Sequence, residues 1–332
     1  MASFAKFGND LYTGKRSYDF VGKRKIFFVI SALGIILAIL LPLLRGGFNL
    51  GLEFRGGSEF RVSGVATTDT SLATDVIENV LGSSASVPEV TVVGADGIRV
   101  QTDSVSGEQS DQIVAGLAEA YGVETSEVSP SVVEASWGAS VTEKAVRALV
   151  IFLVIVGVVM ALYFRTWKMS LAALIALFHD LIITAGVYGA TGFEVTPAAV
   201  IGFLTILGYS LYDTVVVFDK IRENTRHLNE NTRLTFVESV NLAVNQTLVR
   251  SINTSVVAVL PVASILFIGA FMLGAGTLRD ISLALLIGII VGTYSTIFLA
   301  SPLYAQLRMH EKGVVDQAAR VEKARAAAVQ TA

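Results

Sequence analysis

Six apolar stretches, each long enough to cross a membrane as a helix, dominate the hydropathy pattern of the 332-residue chain. A helix of about 20 residues, rising about 1.5 Å per residue, crosses a hydrocarbon layer of about 30 Å. The pattern therefore predicts a polytopic α-helical membrane protein. The predicted spans are residues 26–44, 148–164, 169–190, 197–218, 251–273 and 281–304.

The composition agrees with a membrane protein. Hydrophobic residues make up 53% of the chain and charged residues 16%, with a mean hydropathy of +0.63, whereas a soluble domain carries about 25% charged residues. No basic cluster is interleaved with aromatic residues, so nothing indicates a nucleic-acid partner. The absence of cysteine excludes disulfides and thiol-based metal sites.

Lys and Arg are concentrated before the first span, in the second-to-third turn, in the fourth-to-fifth loop and in the tail, whereas the GFEVTP turn has none. The positive-inside rule then places both termini in the cytoplasm. The first apolar run is longer than a signal-peptide core and lacks a small-residue cleavage site, so we expect a retained anchor. The predicted organisation is a cytoplasmic segment 1–25, a first span 26–44, an extracytoplasmic domain 45–144, helices 2–6 within 145–304 with a cytoplasmic loop at about 219–250, and a tail 305–332 that is either helical or disordered.

The extracytoplasmic segment alternates strand and helix patterns. Period-2 patterns at 58–65, 89–94, 97–103 and 129–138 predict strands, and helical spacing at 69–81 and 107–121 predicts two helices. The resulting order, β-α-β-β-α-β, is that of a ferredoxin-like α+β domain. The paired Gly56 and Gly57 at its start suit a tight turn or a close backbone approach.

The main candidate for chemistry is Asp213, which lies inside the fourth apolar stretch. An ionisable group inside a span is costly and is retained mainly where it faces a bundle interior or a water path. With the helix ending at Asp219, Asp213 would lie about 9 Å from its cytoplasmic end. The alternative is a side chain that snorkels to the interface, although Asp is short for this.

The fifth span begins with the polar sequence RSINTS, which places Arg250, Asn253 and Thr254 at a depth similar to that of Asp213. An ion pair between Arg250 and Asp213 would offset the desolvation of both groups and could act as a switch. A static buried pair, or an Arg at the lipid headgroups, is the alternative. The segment before this span has amphipathic spacing from Phe236 to Leu248, which favours a separate helix along the cytoplasmic interface.

The third span contains a second ionisable pair, His179 and Asp180. Adjacent residues on a helix point about 100° apart, so we expect no simple hydrogen bond between these two side chains. Each could satisfy a neighbouring helix, or the pair could support ion movement. The chain shows no nucleophile elbow, no P-loop and no metal-ligand spacing, so we expect no bond-making chemistry, no metal and no cofactor.

Several motifs in register identify a resemblance. The chain resembles the SecF family, the smaller half of the SecD–SecF accessory complex of the bacterial Sec translocase, within the RND superfamily. The resemblance covers nearly the whole chain. It is carried by YDFVGKRK (18–25), GLEFRGGSEF (51–60), FHD (178–180), GYSLYDTVVVFDKIREN (208–224) and RSINTS (250–255). Glu53 replaces the Asp that is common in the family and keeps its charge.

The resemblance implies six of the twelve helices of a pseudo-symmetric RND-type unit, with SecD supplying the others. It implies a protein-export role in the bacterial cytoplasmic membrane that uses the proton motive force, with H⁺ or Na⁺ as the coupling ion. The implied partners are SecD, the SecYEG channel, SecA, YajC-type accessory subunits, the unfolded preprotein and the lipid bilayer. Asp213 and Arg250 correspond to relay residues of the family, with His179, Asp180, Asn253 and Thr254 in support.

Two other interpretations compete with an ion-coupled translocase subunit. The chain could be a non-conducting scaffold that stabilises SecD and the SecYEG channel, with Asp213 in a static pair. It could also be half of a small-molecule RND exporter. The single large external loop on six helices disfavours the exporter, because RND pumps usually carry two such loops on twelve helices.

Overall fold

The computed structural model describes residues 2–82, 88–133, 135–228, 230, 232–272 and 276–330. Within these ranges the helices are α1 (Ala2–Tyr12), α2 (Arg24–Leu44), α3 (Leu52–Arg55), α4 (Thr70–Leu81), α5 (Gly107–Tyr121), α6 (Ala135–Phe164), α7 (Trp167–Thr191), α8 (Pro197–Thr225), α9 (Phe236–Ser264), α10 (Gly276–Ser295), α11 (Ser301–Arg308) and α12 (Lys312–Gln330). The strands are β1 (Gly57–Val62), β2 (Glu89–Val93), β3 (Gly97–Thr102) and β4 (Val128–Val133). Two π-helical segments, Ile265–Met272 and Thr296–Ala300, continue α9 and join α10 to α11.

Six helical segments of the described chain are long and apolar enough to span a membrane, which confirms the prediction of a six-helix membrane protein. They are Arg24–Leu44, Ser140–Phe164, Trp167–Thr191, Pro197–Thr225, Phe236–Gly269 and Thr277–Arg308. Leu273, at the predicted end of the fifth span, lies outside the described residues.

The predicted interfacial helix before the fifth span is wrong. α8 continues to Thr225, and the amphipathic segment from Phe236 onward is the first part of α9, so the connection covers only residues 226–235. A capping box starts α9: the Thr235 hydroxyl accepts from the Glu238 amide, and the Glu238 carboxylate accepts from the Thr235 amide. The apolar face of this segment joins the same core as residues of α1 and α12, such as Leu11 and Val314.

The chain termini form helices around this first part of α9. α1 was not anticipated from the sequence, and the tail forms the helix α12. Gln317 of α12 donates to the Leu234 carbonyl, and Arg325 bonds the Glu238 carboxylate at 2.8 Å. The N-terminal segment is held by Asn241, whose side-chain oxygen accepts from the Phe20 amide.

The domain between the first and second spans has the predicted ferredoxin-like fold. Its four strands form an antiparallel sheet in the order β2-β3-β1-β4. Strand alternation sends Phe60 and Ile98 into a core shared with α4 and α5. The last strand is shorter than predicted, because the chain from Ala135 joins the second span in one helix. Glu134, within that predicted strand, lies outside the described residues.

Gly56 and Gly57 turn the chain from α3 into the sheet. Both have positive φ, +77° and +144°, a region that residues with a Cβ rarely adopt. A Cβ on Gly57 would lie 2.6 Å from the Thr102 carbonyl oxygen and would also collide with Leu52. The glycine pair therefore lets β1 start directly against β3.

Small residues bring α8 and α10 together at two levels. A Cβ on Gly202 would lie 2.6 Å from Ala284 Cβ, and a Cβ on Gly288 would collide with the side chain of Ile206. Such small residues allow close helix packing inside a membrane, where van der Waals contacts hold helices together. The polar side chains of α8 described next are therefore held against α10.

Candidate functional site

Asp213 lies on the buried face of α8 and is 5% exposed. The Ser251 hydroxyl of α9 donates a 2.9 Å hydrogen bond to Asp213 Oδ1. Asp213 Oδ2 is buried and has no hydrogen-bond partner among the described residues. Because α8 extends 12 residues beyond Asp213 to Thr225, the carboxylate lies about 18 Å from the helix end and not the 9 Å expected from the sequence.

Two hydroxyl residues share the buried face of α8 with Asp213. Ser210 and Thr214 lie one turn before and directly after it, at 0% and 2% exposure. Positions three and four residues apart stack on one face of a helix. The Thr214 hydroxyl lies 3.0 Å from the Thr296 hydroxyl, in the π-helical segment that follows α10.

Asp180 of α7 is fully buried and both of its oxygens are bonded. Ser210 Oγ and Ser295 Oγ donate to Oδ2 at 2.6 and 2.8 Å. His179 Nδ1 lies 3.0 Å from Oδ1, so the expectation that these two neighbours do not bond is wrong. Their Cα–Cβ bonds diverge, but Nδ1 sits beside Cγ, and rotation about the side-chain bonds brings it to the next carboxylate.

Ser210 connects the surroundings of the two carboxylates. It binds Asp180 and lies one turn from Asp213 on the same helix. Gly292 of α10 leaves room for this contact, since a Cβ there would lie 3.0 Å from Ser210 Cβ and 3.6 Å from Asp180 Oδ2. We call this group of buried side chains the polar seam; it consists of Asp180, Ser210, Asp213, Thr214, Ser251, Ser295 and Thr296.

The structure does not bring Arg250, Asn253 and Thr254 onto Asp213. The side chains of Arg250 and Asn253 are exposed on α9, and among the described residues no Arg250 nitrogen lies within 4.0 Å of an Asp213 oxygen. The Thr254 hydroxyl donates to the Arg250 carbonyl of its own helix at 2.8 Å. The direct ion pair, one of the alternatives that the sequence left open, is therefore not formed.

Ser251 and Ser255 occupy the inward face of α9 instead. Ser251 binds Asp213, and Ser255 Oγ lies 2.5 Å from Thr293 Oγ1 of α10. The sequence contained the signal, because these serines are four residues apart in RSINTS and so share one helix face. Which face of α9 turns toward α8 depends on helix packing, which the sequence pattern does not define.

No group of three or more His, Asp or Glu side chains within the described residues could hold a metal ion. The polar seam combines carboxylates and hydroxyls inside membrane-spanning helices, and the imidazole of His179 contacts it through Asp180. Such groups can bind or release a proton, or exchange hydrogen bonds as a proton moves between them.

Family models match most of the chain. The model described as protein export membrane protein SecD/SecF, C-terminal, matches residues 113–310, and the SecD/SecF GG motif matches residues 43–63. The second match contains the Gly56–Gly57 turn, and the first contains the whole polar seam.

Curated proteins and a solved structure resemble the chain over nearly its full length. It is 45% identical over 311 residues to the protein translocase subunit SecF of Streptomyces coelicolor, covering 94% of this chain and 82% of the relative. It is 29% identical to the protein translocase subunit SecDF of Bacillus subtilis, over 88% of this chain and 38% of the relative. A crystal structure of a Thermus SecDF, described as a translocon-associated membrane protein, superposes with a TM-score of 0.76 at 29% identity, over 88% of this chain and 39% of that chain. The chain thus spans about two fifths of the SecDF proteins.

Proposed function

Because the chain belongs to the SecD/SecF family of protein export membrane proteins, and within it to the SecF type, we propose that it acts as an ion-coupled subunit of a protein translocase. In this proposal it carries out no bond-making chemistry. With a SecD partner it would use the proton motive force to promote export of preproteins. The fused SecDF relatives and the shared fold support the partner, and the polar seam supports ion coupling.

The observation that carries the proposal is the unequal bonding of the two Asp213 oxygens. Oδ1 has one donor, Ser251, while Oδ2 is buried without a partner among the described residues. A carboxylate at the centre of a membrane helix costs about 2.5–3.5 kcal/mol on insertion scales, and a buried acceptor left unpaired adds to this cost. A proton on Oδ2 removes the charge and so relieves the first of these costs.

Asp180 differs from Asp213 because both of its carboxylate oxygens have hydrogen-bond partners. Three donors, one from each of His179, Ser210 and Ser295, hold its two oxygens. A carboxylate that already accepts several hydrogen bonds gains less from a proton. We therefore assign the moving proton to Asp213 and give Asp180 and His179 the task of holding Ser210 and α10 in place beside it.

The packing of α8 against α9 depends on whether Asp213 is ionised or protonated. The ionised carboxylate accepts a charge-assisted bond from Ser251, and such bonds are roughly twice as strong as neutral ones. Protonation of Asp213 weakens this hydrogen bond, so the two protonation states favour different helix packings. Only such a differential interaction can convert ion binding into movement.

Arg250 contributes through its charge and its accessibility. Arg250 is exposed and directly precedes the buried Ser251 on α9. An exposed cation within the membrane-spanning bundle favours a partner surface at this position. In our proposal the SecD-type partner covers Arg250, Asn253 and Thr254, and closing of that surface brings Arg250 toward Asp213 when the proton is released.

The proposal places the protein in the bacterial cytoplasmic membrane with both termini in the cytoplasm. The distribution of Lys and Arg supports this orientation. The export role would involve the SecYEG channel, SecA, YajC-type subunits and an unfolded preprotein on the outer face. The chain's own ferredoxin-like domain lies on that outer side.

The test is ion flux in vesicles that hold this chain together with its SecD partner under an imposed pH gradient, with and without Na⁺. Asp213→Asn is compared with Asp219→Asn, which removes the same charge from an exposed position of the same helix. We expect flux to be lost in Asp213→Asn and kept in Asp219→Asn. Flux that requires Na⁺ would retain the relay and change the ion.

A scaffold role predicts a different result. Asp213→Asn would then assemble with SecD, show the same flux as Asp219→Asn and support normal potential-driven export. That outcome would remove the ion relay and leave Asp213 as a structural residue.

A further inference from the structure

The two faces of the extracytoplasmic sheet differ in chemistry. Phe60 and Ile98 face the domain core, while the alternate positions of β1 and β3 carry Glu59, Arg99 and Gln101 on the other face. Period-2 alternation places these three polar side chains together. The polar face is also the side of the sheet that contacts the turn between α7 and α8.

Arg99 and Gln101 bind the turn that connects α7 to α8. Arg99 Nη2 lies 2.7 Å from Glu194 Oε2, with the two side chains 14% and 4% exposed. Gln101 Nε2 donates to Glu194 Oε1 and to Glu59 Oε2, both at 3.1 Å. Burial opposes the charge of Arg99, but attraction to Glu194 and Glu59 outweighs it and raises the pKa of Arg99. Arg99 is therefore held charged at neutral pH.

The backbone reinforces this contact. The Val195 amide donates to the Asn49 carbonyl at 2.7 Å, and the Gly51 amide donates to the Val195 carbonyl at 2.9 Å. The turn therefore lies beside the segment that leads from α2 into the domain, as a short parallel bridge between Leu50 and Val195.

The same turn starts the helix that carries Asp213. Thr196 caps α8 by accepting from the Ala199 amide, and its hydroxyl donates to Asp280 Oδ2 of α10 at 2.8 Å. Tyr188 of α7 donates to the Asp280 carbonyl at 2.6 Å. The outer ends of α7, α8 and α10 are thus joined at one point, two residues from Glu194.

We propose that the Arg99–Glu194 pair is a permanent strut that transmits movement of α8 to the extracytoplasmic domain. The inference rests on the proposed ion-coupled function and assigns Arg99 and Glu194 as positioning residues within it. A buried, hydrogen-bonded ion pair resists rearrangement, because either charge alone would be left desolvated. The strut stays closed through the cycle, and the domain follows α8.

The first experiment measures ion flux and preprotein export separately in vesicles containing SecD and the remaining export machinery. The variants are Arg99→Gln, Glu194→Gln and the double variant. Arg61→Gln is the matched control, because Arg61 lies on the same sheet face but is exposed and pairs with Glu59, not with Glu194. We expect Asp213-dependent flux to persist in all of them. Export per ion moved falls by about tenfold in the strut variants, within the usual range for coupling between two sites.

The results separate this inference from the proposed function. Wild-type vesicles without Asp213-dependent flux would defeat the proposed function and the strut with it. Normal wild-type flux, with export unchanged in the strut variants, would overturn the strut alone. Loss of both flux and export in a double variant that still assembles with SecD would also overturn it.

A covalent replacement tests whether the contact stays closed. The chain has no cysteine, so Arg99→Cys with Glu194→Cys gives two thiols for a bifunctional methanethiosulfonate linker that a reductant removes. Without the linker, we expect the double cysteine variant to move ions without promoting export. With the linker, we expect it to regain export. Export that works without the linker and stops with it would show a contact that must open, and would overturn the strut.

Discussion

Ser251 of α9 donates to Asp213 of α8 at 2.9 Å, which is the one hydrogen bond that the described residues give to that carboxylate. The bond joins two membrane-spanning helices through the Asp213 carboxylate, a charged group that is costly to bury. Its strength depends on whether Asp213 is ionised, because charged acceptors bind hydroxyls more strongly than neutral ones. A change of one proton therefore alters the contact between α8 and α9.

Removing the Ser251 hydroxyl tests this contact. In Ser251→Ala we expect export and ion flux to fall by about tenfold, because a hydrogen bond to a charged group contributes about 1.5–3 kcal/mol. The matched control is Ser264→Ala on the same helix, whose hydroxyl bonds only the Leu260 carbonyl one turn back among the described contacts. Equal rates for the two variants would show that Ser251 has no part in ion movement.

Asp180 and Asp213 should differ in their contribution to stability. Asp180→Ala leaves His179 and Ser210 without their acceptor, at about 1–3 kcal/mol for each buried group left unpaired, while Ser295 keeps its bond to the Gly292 carbonyl. Asp213→Ala frees only Ser251 and removes an unpaired oxygen. We expect thermal unfolding of the purified complex to shift down by several degrees in Asp180→Ala and to change little in Asp213→Ala. The reverse order would contradict our division of their roles.

The close packing of α8 and α10 predicts a second pair of variants. Gly288→Ala forces a Cβ into the Ile206 side chain, and overpacking of this kind costs about 1–3 kcal/mol. Gly208→Ala, on α8, meets no atom within 4 Å and gains up to about 1 kcal/mol of helix propensity. The melting temperature should fall for Gly288→Ala and stay unchanged or rise for Gly208→Ala. A stable Gly288→Ala would mean that the helices separate more easily than described.

Glu53 gives a prediction on pH. Burial raises the pKa of Glu53 against the opposing bond from its own backbone amide, and the nearby Glu194 and Glu59 raise it further. A raised pKa favours the neutral form in the fold, so this contribution to stability is present at low pH and is lost as pH rises through the folded pKa. Glu53→Gln keeps the neutral state at every pH.

We therefore expect Glu53→Gln to melt at a higher temperature than wild type at pH 7. The difference should shrink as the pH falls toward the ordinary pKa of Glu, where both proteins carry a neutral side chain. Arg99, which lowers the pKa of Glu53, must be intact for the comparison. A constant difference across the pH range would attribute the effect to packing.

The sequence predicted the large features of the fold because they depend on patterns within one segment. Apolar length located six spans, and period-2 alternation located the strands of the ferredoxin-like domain. It missed the continuity of α9, because an amphipathic segment next to an apolar one fits two helices as well as one. The Thr235 cap and the packing of α1 and α12 decide between them.

At the candidate site the sequence identified the carboxylates and missed their partners. Asp213 and Asp180 are conspicuous as charges in apolar helices, whereas Ser210, Ser251 and Ser295 are ordinary residues until three helices bring them together. The expected ion pair of Arg250 with Asp213 depended on the rotation of α9. In the structure α9 is rotated so that Ser251, the residue after Arg250, contacts Asp213 instead.

Because α9 is one continuous helix, movement at Ser251 is transmitted rigidly to its N-terminal end. Ser251 lies 15 residues from the N-terminal end of α9 at Phe236, a distance of about 22 Å. If α9 pivots at Ser251, a tilt of about 5° moves that end by about 2 Å, as follows from the length of a rigid helix. The Asn241 and Arg325 contacts attach both chain termini to this arm. A rearrangement around one carboxylate inside the membrane thus reaches the terminal segments of the chain as an enlarged displacement.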